Sequence, residues 1–87
     1  RETQYGPPDR NFQDIADVWS WYLKGASRNR DVLEEGLTKT DVAMLMALLK
    51  LARNFEKIKL DSFVDLINYV RIGSDFEFPK ENNKDNK

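Results

Sequence analysis

The stretch Asp41-Val42-Ala43-Met44-Leu45-Met46-Ala47-Leu48-Leu49-Lys50-Leu51-Ala52-Arg53 decides the fold of this chain. Between Val42 and Ala52, Lys50 is the one residue that is not apolar. A helix that is apolar on every side cannot lie on the surface of a small monomer and must be covered from several sides. Because the chain has only 87 residues to supply other elements, we expect other copies of the chain, or a partner, to complete the core.

The composition fits one small folded domain, with 40% hydrophobic and 11% aromatic residues. Its length is near the lower limit for a self-sufficient core. Cys and His are both absent, which excludes disulfides, thiolate or imidazole catalysis and His/Cys zinc sites. We therefore expect homo-oligomerisation to supply stability. The formal net charge of −1 argues against general DNA or RNA binding, which requires a basic surface.

Nothing in the sequence predicts an association with a membrane. No apolar run reaches the ~18 residues of a membrane span. The N-terminal residues Arg1-Glu2-Thr3-Gln4 are polar and lack the core of a signal peptide. We expect a soluble cytoplasmic protein.

Apolar periodicity predicts a first helix from about Arg10 to Lys24. Asp9 is placed to act as its N-cap, and Gly25 as its stop. Six apolar or aromatic residues fall at helical spacing on one stripe: Phe12, Ile15, Ala16, Trp19, Tyr22 and Leu23. The connection that follows is predicted to be a loop in which residues 31–35 can form one helical turn.

A second helix is predicted to run from a cap at Thr38 or Thr40 to about Phe55. Thr38 with Asp41 forms a variant of the capping box, in which a side chain at each position bonds the backbone of the other. This second helix contains the apolar stretch described above.

A third helix is predicted from an N-cap at Asp61 to about Ile72, with Gly73 as its end. Its buried stripe is predicted to be Phe63, Leu66, Ile67 and Val70. Residues 74–87 are mostly polar and are predicted to form a largely disordered tail. The prediction is thus an all-α fold: a three-helix domain over residues 1–73 that assembles as a homo-oligomer, followed by that tail.

Lys50 and Arg53 are the cations of the apolar helix. A buried Lys needs a partner or must extend to solvent. Asp65 on the adjacent helix is one candidate partner, in a structural ion pair; a ligand phosphate is the other. Tyr5 stands on the stiff turn Tyr5-Gly6-Pro7-Pro8, where its ring can stack on a nucleobase or fasten the N-terminal arm to the helices.

Three other groups have both a structural and a functional interpretation. The basic residues Lys24, Arg28 and Arg30 form either a phosphate site or a solvated loop. Asp61 and Asp65 lie one helical turn apart, where they can hold Mg²⁺, or one caps the helix and the other pairs with a cation. Trp19 and Trp21 point to different sides of the first helix, so one of them is exposed or at an interface.

Three spaced motifs resemble those of a family of short phage-encoded helical domains of unknown function, and the resemblance covers about residues 2 to 72. The motifs are Tyr5-Gly6-x-Pro8-x-x-Asn11-Phe12, Asp41-Val42-Ala43-x-Leu45-Met46-x-Leu48-Leu49-Lys50-x-Ala52-Arg53 and Asp61-Ser62-Phe63-Val64-Asp65-x-x-x-Tyr69. That family is in turn similar to phage domains associated with nucleotide modification. It is also similar to small helical phage sponges that capture cyclic-oligonucleotide immune signals.

The resemblance implies a phage or prophage accessory protein that binds a nucleotide-type ligand without turnover and sequesters an immune signal. In this hypothesis Tyr5 stacks on a base, Lys50 and Arg53 meet phosphate, and Asn11 donates or accepts a hydrogen bond. Two further residues, Asp65 and Tyr69, shape the surroundings of the ligand. No catalytic residue, metal or cofactor is predicted, and the partners are the ligand and other copies of the chain.

Two alternatives remain open. The first is an enzyme, a Mg²⁺-dependent nucleotide phosphohydrolase that uses Asp61 and Asp65, although the acidic cluster of such enzymes is absent from the sequence. The second is a protein-binding inhibitor of a host enzyme, with an exposed Trp and acidic residues as its contact surface.

Overall fold

The computed structural model describes residues 8–84, and side chains over residues 8–81. Within that part the chain is all-α and contains no strand, as predicted. The helices are α1 (Pro8–Ala26), α2 (Val32–Glu35), α3 (Lys39–Arg53), α4 (Leu60–Glu77) and α5 (Pro79–Lys84). The three predicted helices correspond to α1, α3 and α4, and the predicted turn over residues 31–35 is the short α2.

The N-terminus of α3 has the predicted capping box. Thr38 Oγ1 accepts a hydrogen bond from the backbone N–H of Asp41 at 3.0 Å, and Asp41 Oδ2 accepts one from the backbone N–H of Thr38 at 2.8 Å. Two of the otherwise unpaired groups at the helix start are thereby satisfied. The short α2 before it ends at Gly36, whose φ of 83° lies in the region that favours glycine.

Several predicted helix ends are wrong. The first helix begins at Pro8, which suits the first turn because it has no N–H to leave unpaired. Gly25 lies inside α1 and does not stop it. Asp61 is not an N-cap either: α4 starts one residue before it, and the N-cap position is held by Lys59, which makes no side-chain capping bond.

Gly73 does not end α4, which continues to Glu77. A Cβ on Gly73 would stand 3.2 Å from the Cβ of Ala43 on α3, so the glycine permits close helix packing and not a turn. Apart from Phe78, residues 74–84 are helical, although this segment was predicted to belong to a disordered tail. Pro79, which cannot continue α4, follows the break.

The central helix α3 lies between α1 on one side and α4 on the other. Burial alternates along it, since Asp41, Ala43, Leu45 and Ala47 are buried and the residues between them are not. Residues two apart in a helix point to nearly opposite sides, so this alternation means two neighbours on opposite sides. Hydrogen bonds tie Asp41 and Leu45 to α1, and Ala43 faces α4.

Three long helices side by side form a single layer, and the principal extents of the chain are 45 × 36 × 16 Å. The buried apolar core consists of Ala43, Leu45, Ala47 and Ala52. Among the described side chains, sixteen large apolar ones are exposed. The chain itself therefore covers α3 on two of its sides, through α1 and α4.

The buried stripe predicted for α4 is wrong in three of its four members. Phe63 is 44% exposed, Ile67 64% and Val70 45%. The helix turns smaller residues toward α3 instead, and Ser62 and Gly73 are the two buried residues of α4. None of the helices described is long and apolar enough to span a membrane. The oligomeric state stays a prediction.

Candidate functional site

A groove between α1 and α3 brings aromatic and aliphatic side chains together with one cation. It encloses about 320 Å³ and is lined by Phe12, Ile15, Ala16, Trp19, Leu49 and Arg53. The indole Nε1–H of Trp19 donates to the backbone oxygen of Leu45 at 2.8 Å, which fixes the ring in place. The Phe12 side chain is 71% exposed, so the groove opens to solvent there.

Arg53 supplies the cation of this α1–α3 groove. It is half-buried in the last turn of α3, where a positive charge is favoured by the helix dipole. A guanidinium presents a planar fork of N–H donors that matches the oxygens of a phosphate or carboxylate. The groove thus combines aromatic surface with a group that binds anions.

A second groove lies between α3 and α4 on the same face of the layer and encloses about 360 Å³. Its lining is apolar except for two residues, and consists of Lys39, Val42, Ala43, Met46, Tyr69, Ile72 and Phe76. The Lys39 ammonium stands 4.9 Å from the centroid of the Phe76 ring, a cation–π distance. Tyr69 and Arg53, both predicted ligand residues, therefore line different grooves.

Lys50 and Asp65 form the predicted ion pair between α3 and α4. The Lys50 Nζ lies 3.1 Å from the Asp65 Oδ2, and the two side chains are 18% and 46% exposed. Of the two partners considered for Lys50, the structural one is thus present. The pair brings two predicted ligand residues together, but it neutralises the charge that was assigned to a phosphate.

Asn11 is buried in α1 at 5% exposure. Hydrogen bonds pair Tyr22 with Asp41 and Trp19 with Leu45, so α1 and α3 run antiparallel and Asn11 lies at the level of the C-terminal turn of α3. Its Nδ2 has no hydrogen-bond partner among residues 8–84. Tyr5, the predicted stacking residue, lies outside the described residues.

The strongest polar network of the described chain surrounds Asp41, which is 2% exposed. Its Oδ1 accepts hydrogen bonds from the Tyr22 hydroxyl at 2.7 Å and from the Arg30 guanidinium, while its Oδ2 caps α3 through Thr38. Arg30 belongs to the basic group with Lys24 and Arg28, for which a phosphate site and a solvated loop were the two alternatives. Its charge instead satisfies a buried carboxylate, so it holds the loop before α2 against α1 and α3.

The network shifts two acid–base equilibria. Burial alone would raise the pKa of Asp41, but the hydrogen bonds from Arg30, Thr38 and Tyr22 outweigh it and hold that pKa well below its ordinary value. Burial, together with the bond to Asp41, raises the pKa of Tyr22 to about 12. Both shifts keep the carboxylate charged and the phenol neutral at neutral pH.

Within the described residues, no group of three or more Asp, Glu, His or Cys side chains comes together as metal ligands would. Asp65, one of the two carboxylates proposed to hold Mg²⁺, is paired with Lys50. Asp61 is exposed at the start of α4. The enzyme alternative therefore has two carboxylates one turn apart and no further acidic ligand near them among these residues.

Of the residues that line the α1–α3 groove, Arg53 is the one that was predicted to contact a ligand. Phe12, Ile15, Ala16 and Trp19 were predicted to share one apolar stripe of α1 but were not predicted to contact a ligand. Their spacing predicts that they share a side, and not whether another helix covers that side. The one sequence feature that set any of these four residues apart was the presence of Phe12 in the first motif of the resemblance.

Comparison with known proteins places the chain among phage relatives. It is 39% identical over 71 residues to the Gene 55 protein of Mycobacterium phage D29, a match covering 80% of this chain and 40% of that protein. It is 30% identical over 82 residues to the Gene 55 protein of Mycobacterium phage L5, covering 93% of this chain and 47% of that protein. The chain thus spans less than half the length of these curated relatives.

No solved structure matches the chain significantly. A family model described as a domain of unknown function, DUF6378, matches residues 1–77. That match includes the whole of α1 to α4 and extends beyond the boundary predicted at residue 73. The predicted resemblance to a phage domain of unknown function is thereby confirmed, and the chain belongs to the DUF6378 family.

Proposed function

We propose that this domain is a non-catalytic phage binding protein that holds a nucleotide-type ligand in the α1–α3 groove. The observation that supports the proposal most directly is the lining of that groove, where two aromatic rings and a guanidinium flank an apolar wall. Apolar concave sites with a few placed polar groups are the usual form of small-molecule sites.

The size and chemistry of the groove suit the base of a nucleotide. A volume of about 320 Å³ lies at the small end for ligand sites and accommodates the flat ring of a base. Stacking of a base on an aromatic side chain contributes about 1–3 kcal/mol. Arg53, which lines the same groove, is the group that would contact a phosphate of the ligand.

The other predicted ligand residues take different roles in this proposal. Lys50 and Asp65 hold α3 and α4 together through their ion pair. Asn11 lies in the α1–α3 interface, and Tyr69 belongs to the second groove. Tyr5 keeps its proposed stacking role, which nothing in residues 8–84 tests.

Binding without turnover completes the proposal. Hydrolysis of a nucleotide with Mg²⁺ uses several carboxylates around the phosphates, and the paired Asp65 and exposed Asp61 do not adjoin the groove. A protein that binds a nucleotide and leaves it intact acts by sequestration. This is the action expected of a protein that captures a cyclic-nucleotide immune signal in the host.

One observation favours a second candidate function, the inhibition of a host enzyme by direct protein contact. Trp21 is 70% exposed on the side of α1 away from the groove, and Leu33 of α2 is 99% exposed. Exposed aromatic residues are common energetic centres of protein interfaces. In this alternative the ligand is a protein surface and free nucleotides do not bind.

Isothermal titration with ATP, GMP and 3′,5′-cyclic di- and trinucleotides tests the proposal. At least one of these compounds should bind, and Phe12→Ala should weaken its binding. Trp21→Ala is the matched control, since it removes an equally exposed ring outside the groove. Arg53→Gln should cost more affinity at low salt than at high salt, whereas Arg71→Gln on the outer side of α4 should not.

The ligand recovered after binding, with Mg²⁺ or Mn²⁺ present, should be chemically unchanged. Hydrolysis that is lost in Asp61→Asn would instead support the enzyme alternative. If none of the nucleotides binds to folded protein, as judged by circular dichroism, the groove is not a nucleotide site and the protein-inhibitor function becomes the leading one.

A further inference from the structure

The face of the layer opposite the two grooves carries partly and fully exposed apolar side chains of α3 and α4. On α3, Met44, Leu48 and Leu51 recur at intervals of four and three residues and so point to one side. On α4, Phe63, Ile67 and Val70 have the same spacing. We call these six side chains the apolar patch.

Helix geometry shows that both halves of the apolar patch lie on the same face. The α3–α4 groove brings Met46 of α3 onto one face with Ile72 and Phe76 of α4. Met44 and Leu48 each lie two residues from Met46, which places them about 160° around α3 from it at the ~100° per residue of an α-helix. At the same ~100° per residue, the three patch residues of α4 lie on the opposite side of that helix from Ile72 and Phe76. They therefore share a face of the layer with Met44 and Leu48.

We propose that a second copy of this chain covers the apolar patch, so that two layers pack face to face around a two-fold axis. This inference goes beyond the proposed function, because it concerns the opposite face of the layer.

The small core of the single layer is the first argument for a second copy. A stable domain normally buries its apolar faces between two packed layers. Here one layer buries three alanines and one leucine, and its largest fully buried side chain is a carboxylate. Such a layer needs a permanent cover. Another copy of the chain is a partner that is always present at the same concentration.

The chemistry of the patch is the second argument. A two-fold contact places the same surface on both partners, so a charge near its centre would face its own copy. All six residues of the apolar patch are uncharged. Charged residues of α1, Arg10, Asp14 and Asp17, flank this face and fit the polar rim of an interface.

The extent of the face is the third argument. The layer measures 45 × 36 Å in its plane, whereas a standard specific interface buries about 800 Å² on each partner. An interface of that size therefore fits within one face of the layer. The three patch residues of α4 are 44% to 64% exposed, so much of their apolar surface is available for burial by a second copy.

Sedimentation equilibrium and cysteine cross-linking test this inference on the chain as it stands. At micromolar concentration the mass should be twice 10.2 kDa or an even multiple of it, and it should persist in 1 M NaCl because the contact is apolar. Ile67→Glu, at the centre of the α4 stripe, should yield monomer or unfolded protein. Leu33→Glu, which places the same charge at a 99% exposed site on α2, should leave the mass unchanged.

Cross-linking separates loss of association from loss of folding. The chain has no cysteine of its own, so Ile67→Cys introduces a single thiol near the proposed two-fold axis. Mild oxidation should link Ile67→Cys into covalent dimers and Leu33→Cys at least tenfold more slowly. A folded wild-type monomer, a trimer, or equal cross-linking of the two variants would overturn the inference, whatever the result of the nucleotide titrations.

Discussion

Replacing Asp41 with Asn should destabilise the fold more than any other loss of one charge in the described chain. The Asp41 carboxylate accepts from Tyr22 and Arg30 on one oxygen and from the Thr38 backbone on the other. An amide has only one acceptor oxygen. The amide that replaces the carboxylate would therefore turn an NH₂ group toward either the Tyr22–Arg30 pair or the start of α3.

The size of the effect follows from burial. Removing one partner of a buried ion pair costs about 3–5 kcal/mol, because the other charge loses its compensation. Asp41 is 2% exposed but the Arg30 side chain keeps 27% exposure, so the guanidinium recovers some hydration. We expect a loss near the lower end, ~3 kcal/mol. That is a large part of the ~5–15 kcal/mol that stabilises a typical domain.

Asp65→Asn is the matched control, since it also breaks an Asp–cation pair between helices. Asp65 is 46% exposed, and exposed pairs contribute about 0–1 kcal/mol. Urea unfolding followed by circular dichroism, at one fixed protein concentration, measures both variants. If Asp41→Asn lowers the free energy of unfolding no more than Asp65→Asn does, the network around Asp41 does not stabilise the fold as argued.

Three further predictions concern pH and helix packing. Because the pKa of Asp41 is depressed in the folded state, this carboxylate contributes its full stabilisation above pH 3.8, and the contribution is lost as the pH falls below that value. In acid titrations, Asp41→Asn should therefore lose less stability than the wild type does. The raised pKa of Tyr22 gives the opposite pH dependence: stability should decrease as the pH rises from 10.0 toward about 12. Tyr22→Phe should remove that decrease. Gly73→Leu should lower the melting temperature, since even a Cβ there lies 3.2 Å from Ala43, whereas Gly25→Ala, with nothing within 4 Å, should raise it slightly.

Local features of this fold were predictable from the sequence. Helical periodicity located α1, α3 and α4, and the Thr38–Asp41 capping box was predicted correctly because it depends on four consecutive residues. The all-round apolar character of α3 predicted a helix that is covered from several sides, and α1 and α4 cover two of them. The Lys50–Asp65 pair was one of two alternatives, chosen by the packing of α3 against α4.

Features that depend on which sides of a helix are covered were not predictable. The spacing of Phe63, Ile67 and Val70 predicts a shared side, but the pattern contains no information on whether that side meets α3. The side of α4 that packs against α3 is set by small residues, because Ser62 and Gly73 let the two helices approach closely. The Arg30–Asp41 pair joins a loop to a helix cap, and no periodic pattern relates the two.

The two proposals make a joint statement about stoichiometry, because the α1–α3 groove and the apolar patch lie on opposite faces of one thin layer. If two copies pack through the apolar patch, the α1–α3 groove of each copy faces outward. Each chain should then bind one nucleotide with an affinity that does not depend on protein concentration. If instead the groove face were the contact between copies, Phe12 and Arg53 would be covered. Nucleotide binding would then weaken as the protein associates, and Phe12→Ala would alter the mass of the assembly. Titrations at two protein concentrations, tenfold apart, distinguish these arrangements even before the site of either contact is known.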